Sequence, residues 1–135
     1  MSVFTVDLKN RPGELARLCE AMAGRGVNLI LCATTHGEGG TVAFIADDEA
    51  SAETALAGAG LGYNRRPALT IRMENQPGAG AATFRKLADA GVNTDLLLPV
   101  RISDSLFFGV ICVDDADKAR RALGVQVIHE GDFAL

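Results

Sequence analysis

Clustered positive charge, long apolar runs and paired reactive side chains are all scarce in this 135-residue chain. Its 13 Lys and Arg are scattered against 17 Asp and Glu, for a net charge of -4. Without a basic patch there is no electrostatic footprint for nucleic acid or an anionic membrane surface, so neither is an expected partner. No apolar stretch approaches the roughly 20 residues of a membrane span, and Met1-Ser2-Val3-Phe4-Thr5 lacks the basic and apolar regions of a leader, so a cytoplasmic protein is expected. Cys19, Cys32 and Cys112 are odd in number, far apart and set in apolar stretches, which suits buried inert thiols better than a disulfide framework. With His36 and His129 they form no metal-ligand spacing, and no triad or carboxylate pair can be assembled, so neither metal nor enzymatic activity is expected. Gly78-Ala79-Gly80-Ala81-Ala82-Thr83 approaches a dinucleotide-binding turn, but Thr83 stands at the third glycine and no parallel βαβ continuation follows; no cofactor is expected.

What the chain does contain is a repeat. Asn10-Arg11-Pro12-Gly13 returns 65 residues later as Asn75-Gln76-Pro77-Gly78, and Gly26-Val27-Asn28 returns at the same offset as Gly91-Val92-Asn93. The period divides the chain into units 1–66 and 67–135. Units so small bury only roughly 60% of their unfolded surface. They are expected to pack on one another and on a second chain, as a homodimer.

Apolar-polar alternation over 3–9 predicts a strand, and Leu15, Leu18, Cys19 and Met22 give one sticky face to a helix expected over about 12–25, with Pro12 at its start. Residues 28–35 and 41–46 read as strands about the glycine-rich reversal His36–Gly40. Asp47-Asp48-Glu49-Ala50-Ser51 offers N-caps for a helix ended by Gly58 and Gly60, and a last strand is expected at 61–66. The second unit repeats the order: strand 68–74, helix 77–90 with Phe84, Leu87 and Ala88 inward, strands near 93–101 and 105–113, helix 115–123, strand 125–130. Asp47-Asp48 recurs as Asp114-Asp115 at an offset of 67, so the second hairpin holds two more residues, a length change expected in its turn. The runs Leu96-Leu97-Leu98 and Leu106-Phe107-Phe108 suggest a strand buried on both faces at a sheet-sheet or dimer contact, not a cofactor pocket. Each unit reads βαββαβ: an α+β, ferredoxin-like sheet with both helices on one face. Joining two such sheets side by side into eight strands would remove an edge from each.

Asn-x-Pro-Gly between strand and helix has a plain turn explanation, but its duplication ahead of Gly-Val-Asn places matching polar groups in both units. Amides at the helix starts, about Gly13, Glu14 and Leu15 and about Gly78, Ala79 and Gly80, favour an anion such as a carboxylate. The side-chain amides of Asn10, Asn28, Asn75 and Asn93 offer donor and acceptor together, as a zwitterion requires. Arg11 is either a bidentate carboxylate partner or an exposed loop residue; Gln76 cannot replace it as a cation. Asp95 is either a partner for an ammonium or a solvated edge carboxylate. Gly80 serves either close helix packing or ligand room.

Asn10-Arg11-Pro12-Gly13-Glu14-Leu15-Ala16 followed by Arg25-Gly26-Val27-Asn28-Leu29, within βαββαβ, closely resembles the ACT domain, a ferredoxin-like module that senses amino acids. The resemblance covers essentially the whole chain, as two tandem units. It implies a free amino acid as ligand, held at interfaces between paired units by the loop after the first strand of one (Asn10, Arg11, Pro12, Gly13, Glu14, Leu15; Asn75, Gln76, Gly78, Ala79, Gly80) and the start of the second strand of its neighbour (Asn28, Leu29, Ile30; Asn93, Thr94, Asp95). In serine-sensing ACT units of phosphoglycerate dehydrogenases, asparagines at the positions of Asn10 and Asn28 contact the ligand. A histidine two residues before the first Asn is replaced here by Leu8 and Met73, which points away from serine. Because Glu14-Leu15 becomes Ala79-Gly80 and Leu29-Ile30 becomes Thr94-Asp95, two unlike sites are expected. The resemblance implies a regulatory protein, not an enzyme, that acts on an amino-acid metabolic enzyme. The alternative is a regulatory subunit working mainly by protein contact, of the acetohydroxyacid synthase small-subunit type.

Overall fold

The computed structural model describes residues 1–129. The chain forms two compact units, one of Ser2–Arg66 and one from Pro67 on. The first runs β1 (Ser2–Lys9), α1 (Glu14–Ala23), β2 (Leu29–His36), β3 (Gly39–Ala46), α2 (Glu49–Gly58) and β4 (Asn64–Pro67). The second runs β5 (Leu69–Glu74), α3 (Ala79–Asp89), β6 (Thr94–Ile102), β7 (Leu106–Val113), α4 (Ala116–Leu123), a single 3₁₀ turn (Gly124–Gln126) and β8 (Val127–Ile128). The last residue of the strand expected at 125–130 lies outside the described residues, and the start of that segment is the 3₁₀ turn.

Each unit has its own four-stranded sheet, in the orders β2-β3-β1-β4 and β6-β7-β5-β8. In the first, Phe4, Val6, Val42 and Phe44 meet Leu18 and Met22 of α1 and Ala52 and Leu56 of α2, with the Phe4 and Phe44 rings stacked at 5.2 Å. In the second, Leu69, Ile71 and Ile111 meet Leu87 of α3 and Ala119 and Leu123 of α4. Phe84 is half-buried against this core, but Ala88 is exposed; the inward place expected for it belongs to Thr83, which is 2% exposed.

Both long helices begin two residues later than expected. Gly13 (φ 91°, ψ -16°) and Gly78 (φ 90°, ψ -18°) take left-handed backbone, and the Glu14 and Ala79 amides donate back to the Arg11 and Gln76 carbonyls at 3.4 and 3.2 Å. Proline followed by a left-handed glycine, closed by that bond, is a type II turn. Pro12 and Pro77 are therefore turn residues, and the helices open at Glu14 and Ala79. Asp48 and Asp115 then cap α2 and α4, accepting the Ser51 and Lys118 amides at 3.0 and 2.9 Å.

The two extra residues of the second hairpin are not in its turn. In the first unit β2 pairs with β3 in unbroken register from Leu29↔Ala46 to His36↔Gly39, leaving Gly37 and Glu38 at the tip. In the second unit the register slips once between Thr94 and Leu96 and again between Pro99 and Arg101, so Asp95 and Val100 are bulged out of β6. β6 is an edge strand and alternates in exposure: Leu98 is buried, while Leu97 is 36% and Ile102 61% exposed. Within the single chain it is buried on one face only. Of the thiols, Cys112 is buried and Cys19 half-buried, but Cys32 is exposed on edge strand β2, contrary to expectation. Among the described residues no helix is long and apolar enough to cross a membrane, and no group of three or more His, Cys, Asp or Glu is placed to hold a metal ion.

Candidate functional site

The repeated asparagines occupy two different structural roles. The Asn10 amide donates to the Glu38 carbonyl at 2.8 Å and its side-chain Nδ2 to the Gly37 carbonyl at 3.4 Å. The Asn75 amide donates to the Ser105 carbonyl at 3.0 Å and its Nδ2 to the Ser103 carbonyl at 2.7 Å. Each asparagine thus ties the loop after the first strand to the tip of the hairpin in its own unit. One N–H of each side-chain amide is used this way; among the described residues Oδ1 and the second N–H have no partner.

Asn28 and Asn93 are held through their backbones. The Asn28 amide donates to Asp47 Oδ1 at 2.9 Å and its carbonyl accepts the Asp47 amide at 3.1 Å. Asn93 and Asp114 repeat the pair at 2.9 and 3.2 Å. The doubled Asp-Asp therefore divides its work, the first residue pinning the start of the second strand and the second capping the next helix. The Asn93 side chain donates to Asp95 Oδ1 at 2.5 Å, which orients the bulged carboxylate. Leu29 and Ile30 follow on β2, half-buried, as does Thr94 on β6.

The loop of the first unit forms a small hollow of about 140 Å³ in which Asn10, Arg11, Glu14 and Leu15 face Thr34, Thr35, Gly40 and Thr41 of the hairpin. Leu15, expected on the buried face of α1, is 41% exposed here, while Leu18 and Met22 carry the core contact. Arg11 Nε donates to Glu14 Oε1 at 2.7 Å, and this bond, with the guanidinium charge behind it, holds the Glu14 carboxyl below its ordinary pKa. Among the described residues the two terminal guanidinium nitrogens of Arg11 have no partner. Gly40 is required by close approach, since a Cβ there would lie 2.8 Å from the Thr34 carbonyl oxygen. The threonines and Gly40 carry no motif that marks them in the sequence; only the hairpin register brings them to the Asn10 loop.

The corresponding region of the second unit is more open. Glu74, Asn75 and Gln76 meet Asp104, Ser105 and Leu106 around a depression of about 450 Å³, and Gln76 donates to the Glu74 carboxylate. Beside it runs a groove of about 580 Å³ that includes Gln76 and Ala79 and extends along α3. A Cβ on Gly80 meets nothing within 4 Å, so close helix packing does not explain that glycine. The Glu14 and Ala79 amides close the type II turns, so the open donors at the helix starts are fewer than expected.

Neither unit brings its two asparagines together. Asn10 sits at the hairpin tip, and Asn28 precedes the other end of the eight-residue β2. At ~3.3 Å per residue that separates them by roughly 25 Å. Asn75 and Asn93 are divided in the same way by β6.

No protein-family profile and no curated protein matches the chain. Solved structures do. Protein BT0572 from Bacteroides thetaiotaomicron is similar with a TM-score of 0.83 at 24% identity, over 94% of this chain and 90% of that one. The ligand-free regulatory subunit of aspartate kinase from Thermus thermophilus is similar with a TM-score of 0.69 at 21% identity, over 93% and 90%. That from Thermus flavus gives 0.61 at 20%, over 93% and 90%. At such identities the likeness establishes architecture, and with the element order above it gives this chain the fold of two tandem ACT-type, ferredoxin-like βαββαβ units.

Proposed function

We propose that this protein is a non-enzymatic regulator that binds a free amino acid between ACT-type units and passes its occupancy to an amino-acid metabolic enzyme. The observation that supports the reading is the separation of the repeated asparagines, Asn10 or Asn75 at one end of a strand and Asn28 or Asn93 at the other; in this reading each end is a half-site. A zwitterion gripped by two side-chain amides needs one half-site from each of two units. The natural pairings are Asn10 with Asn93 and Asn75 with Asn28, within the chain or across a homodimer. Arg11, Glu14 and Leu15 border the first site; Gln76, Ala79, Gly80, Thr94 and Asp95 make the second unlike it. Regulation follows if the ligand binds one arrangement of the units better than another.

The experiment is a calorimetric screen of the twenty amino acids against the wild-type protein. At least one is expected to bind, and Asn10→Ala to weaken that binding about 10- to 100-fold, the worth of a hydrogen bond to a charged group. Binding by none of them would end the sensor reading.

A second reading is supported by the aspartate kinase neighbours, which are regulatory subunits of that enzyme, and of which this chain covers 90%. In that reading the protein is a regulatory subunit acting mainly by contact. Stoichiometric co-purification with a catalytic subunit whose activity is unaffected by any amino acid would favour it over the first.

A further inference from the structure

We propose that the groove along β5 is a docking slot for an extended, acidic peptide segment of a partner protein, added to the sheet as a short strand beside Arg72–Glu74. β8 pairs with β5 only at Thr70↔Ile128 and Ile71↔Val127, because the residues before it form a 3₁₀ turn instead of continuing the strand. On its other side β5 is paired with β7 as far as Glu74↔Leu106. Among the described residues Arg72–Glu74 therefore have one strand neighbour; on their other side the 3₁₀ turn lies against β5 without pairing to it as a strand, and the groove of about 580 Å³ runs along them.

The dimensions fit a strand. Ala79, Ala82, Thr83 and Lys86 recur at the spacing of one helix face and form the wall, about 10 Å long at 1.5 Å per residue. Three residues of added strand span the same ~10 Å. Small side chains on most of this wall leave the width that a second backbone needs.

The charge fits an acidic occupant. Lys86 Nζ donates to Gln126 Oε1 at 2.8 Å, and Gln126 Nε2 donates to the buried Thr83 hydroxyl at 2.9 Å, so the ammonium is held at the groove with donors to spare. Among the described residues the Arg72 guanidinium has no hydrogen bond or ion pair, while the Glu74 carboxylate already accepts from Gln76. Val125, 86% exposed at the groove wall, gives an alternate side chain an apolar contact. Main-chain pairing at an open edge with places for alternate side chains is the pattern of strand addition.

The test uses the full protein and a fluorescent, end-capped peptide of alternating valine and glutamate. Saturable binding by anisotropy is expected, with slowed amide exchange at Arg72–Glu74. Methylating the central peptide nitrogen, or putting lysine in place of glutamate in the peptide, is expected to weaken binding at least tenfold on wild-type protein. Arg72→Glu combined with Lys86→Glu is expected to do the same, and the two peptide changes decide the question if that variant fails to fold. No binding, indifference to N-methylation, or protection elsewhere than β5 would overturn the proposal. Asn10→Ala is expected to leave peptide binding unchanged, so this inference and the amino-acid site fail separately.

Discussion

Gly13 and Gly78 show how much one backbone angle decides here. At φ near 90° a Cβ is disfavoured by roughly 1–2 kcal/mol, although neither glycine has a neighbour that a Cβ would strike. Gly13→Ala is therefore expected to lower unfolding free energy by about that amount in chemical denaturation, without creating a packing defect. Gly40→Ala is expected to cost more than its conformation alone would suggest, because its Cβ is aimed at the Thr34 backbone. Asp48 offers a pH-dependent counterpart. The Ser51 hydroxyl and amide bonds hold its carboxyl below the ordinary value, so its contribution is present above the unfolded pKa and fades as pH falls through the lower folded one. Thermal unfolding should show Asp48→Ala destabilising at neutral pH, with the difference from wild type closing as pH falls below about 4. A difference that stays constant down to pH 2 would show that the cap does not act through its charge.

At the level of elements, most of the order was legible in the sequence because the apolar periods change sharply at glycines and prolines. Strand β1, the hairpin β2–β3 and both Asp-capped helices lie close to where alternation and capping residues place them. The misplacements have physical reasons. Pro12 suits the first position of a helix through its fixed φ, but Pro-Gly suits the centre of a type II turn equally well, and the left-handed Gly13 decides between them. The two inserted residues were expected in a turn, yet both hairpins keep short tips and the insertion is absorbed as bulges at Asp95 and Val100. Sequence alone cannot separate these outcomes, since a bulge leaves the count unchanged and only shifts register. The bulges, with Pro99 and Arg101 beside them, also leave β6 a poor template for pairing, whereas β2 is regular and uncharged. Deleting Asp95 and Val100 together is expected to restore a regular β6 and to raise self-association in analytical ultracentrifugation; an unchanged sedimentation profile would show that the bulges do not guard that edge.

For the whole molecule, the repeat located the polar groups of the candidate site but not their surroundings. The side-chain amides of Asn10 and Asn75 each donate to their own hairpin tip; the threonines and Gly40 facing Asn10, and the groove along α3, depend on register and on where β8 stops. The strand between the two asparagines of a unit makes the proposed function specific: if a zwitterion is gripped by two side-chain amides, the two come from different units. A double-mutant cycle measures this directly. Calorimetric titration with an amino acid that binds the wild type should show Asn10→Ala and Asn93→Ala each weakening one site, with the double variant losing less than the sum of the two, whereas Asn10→Ala and Asn75→Ala should act on different sites and add. Strict additivity of Asn10→Ala with Asn93→Ala, together with coupling of Asn10 to Asn75, would contradict the account.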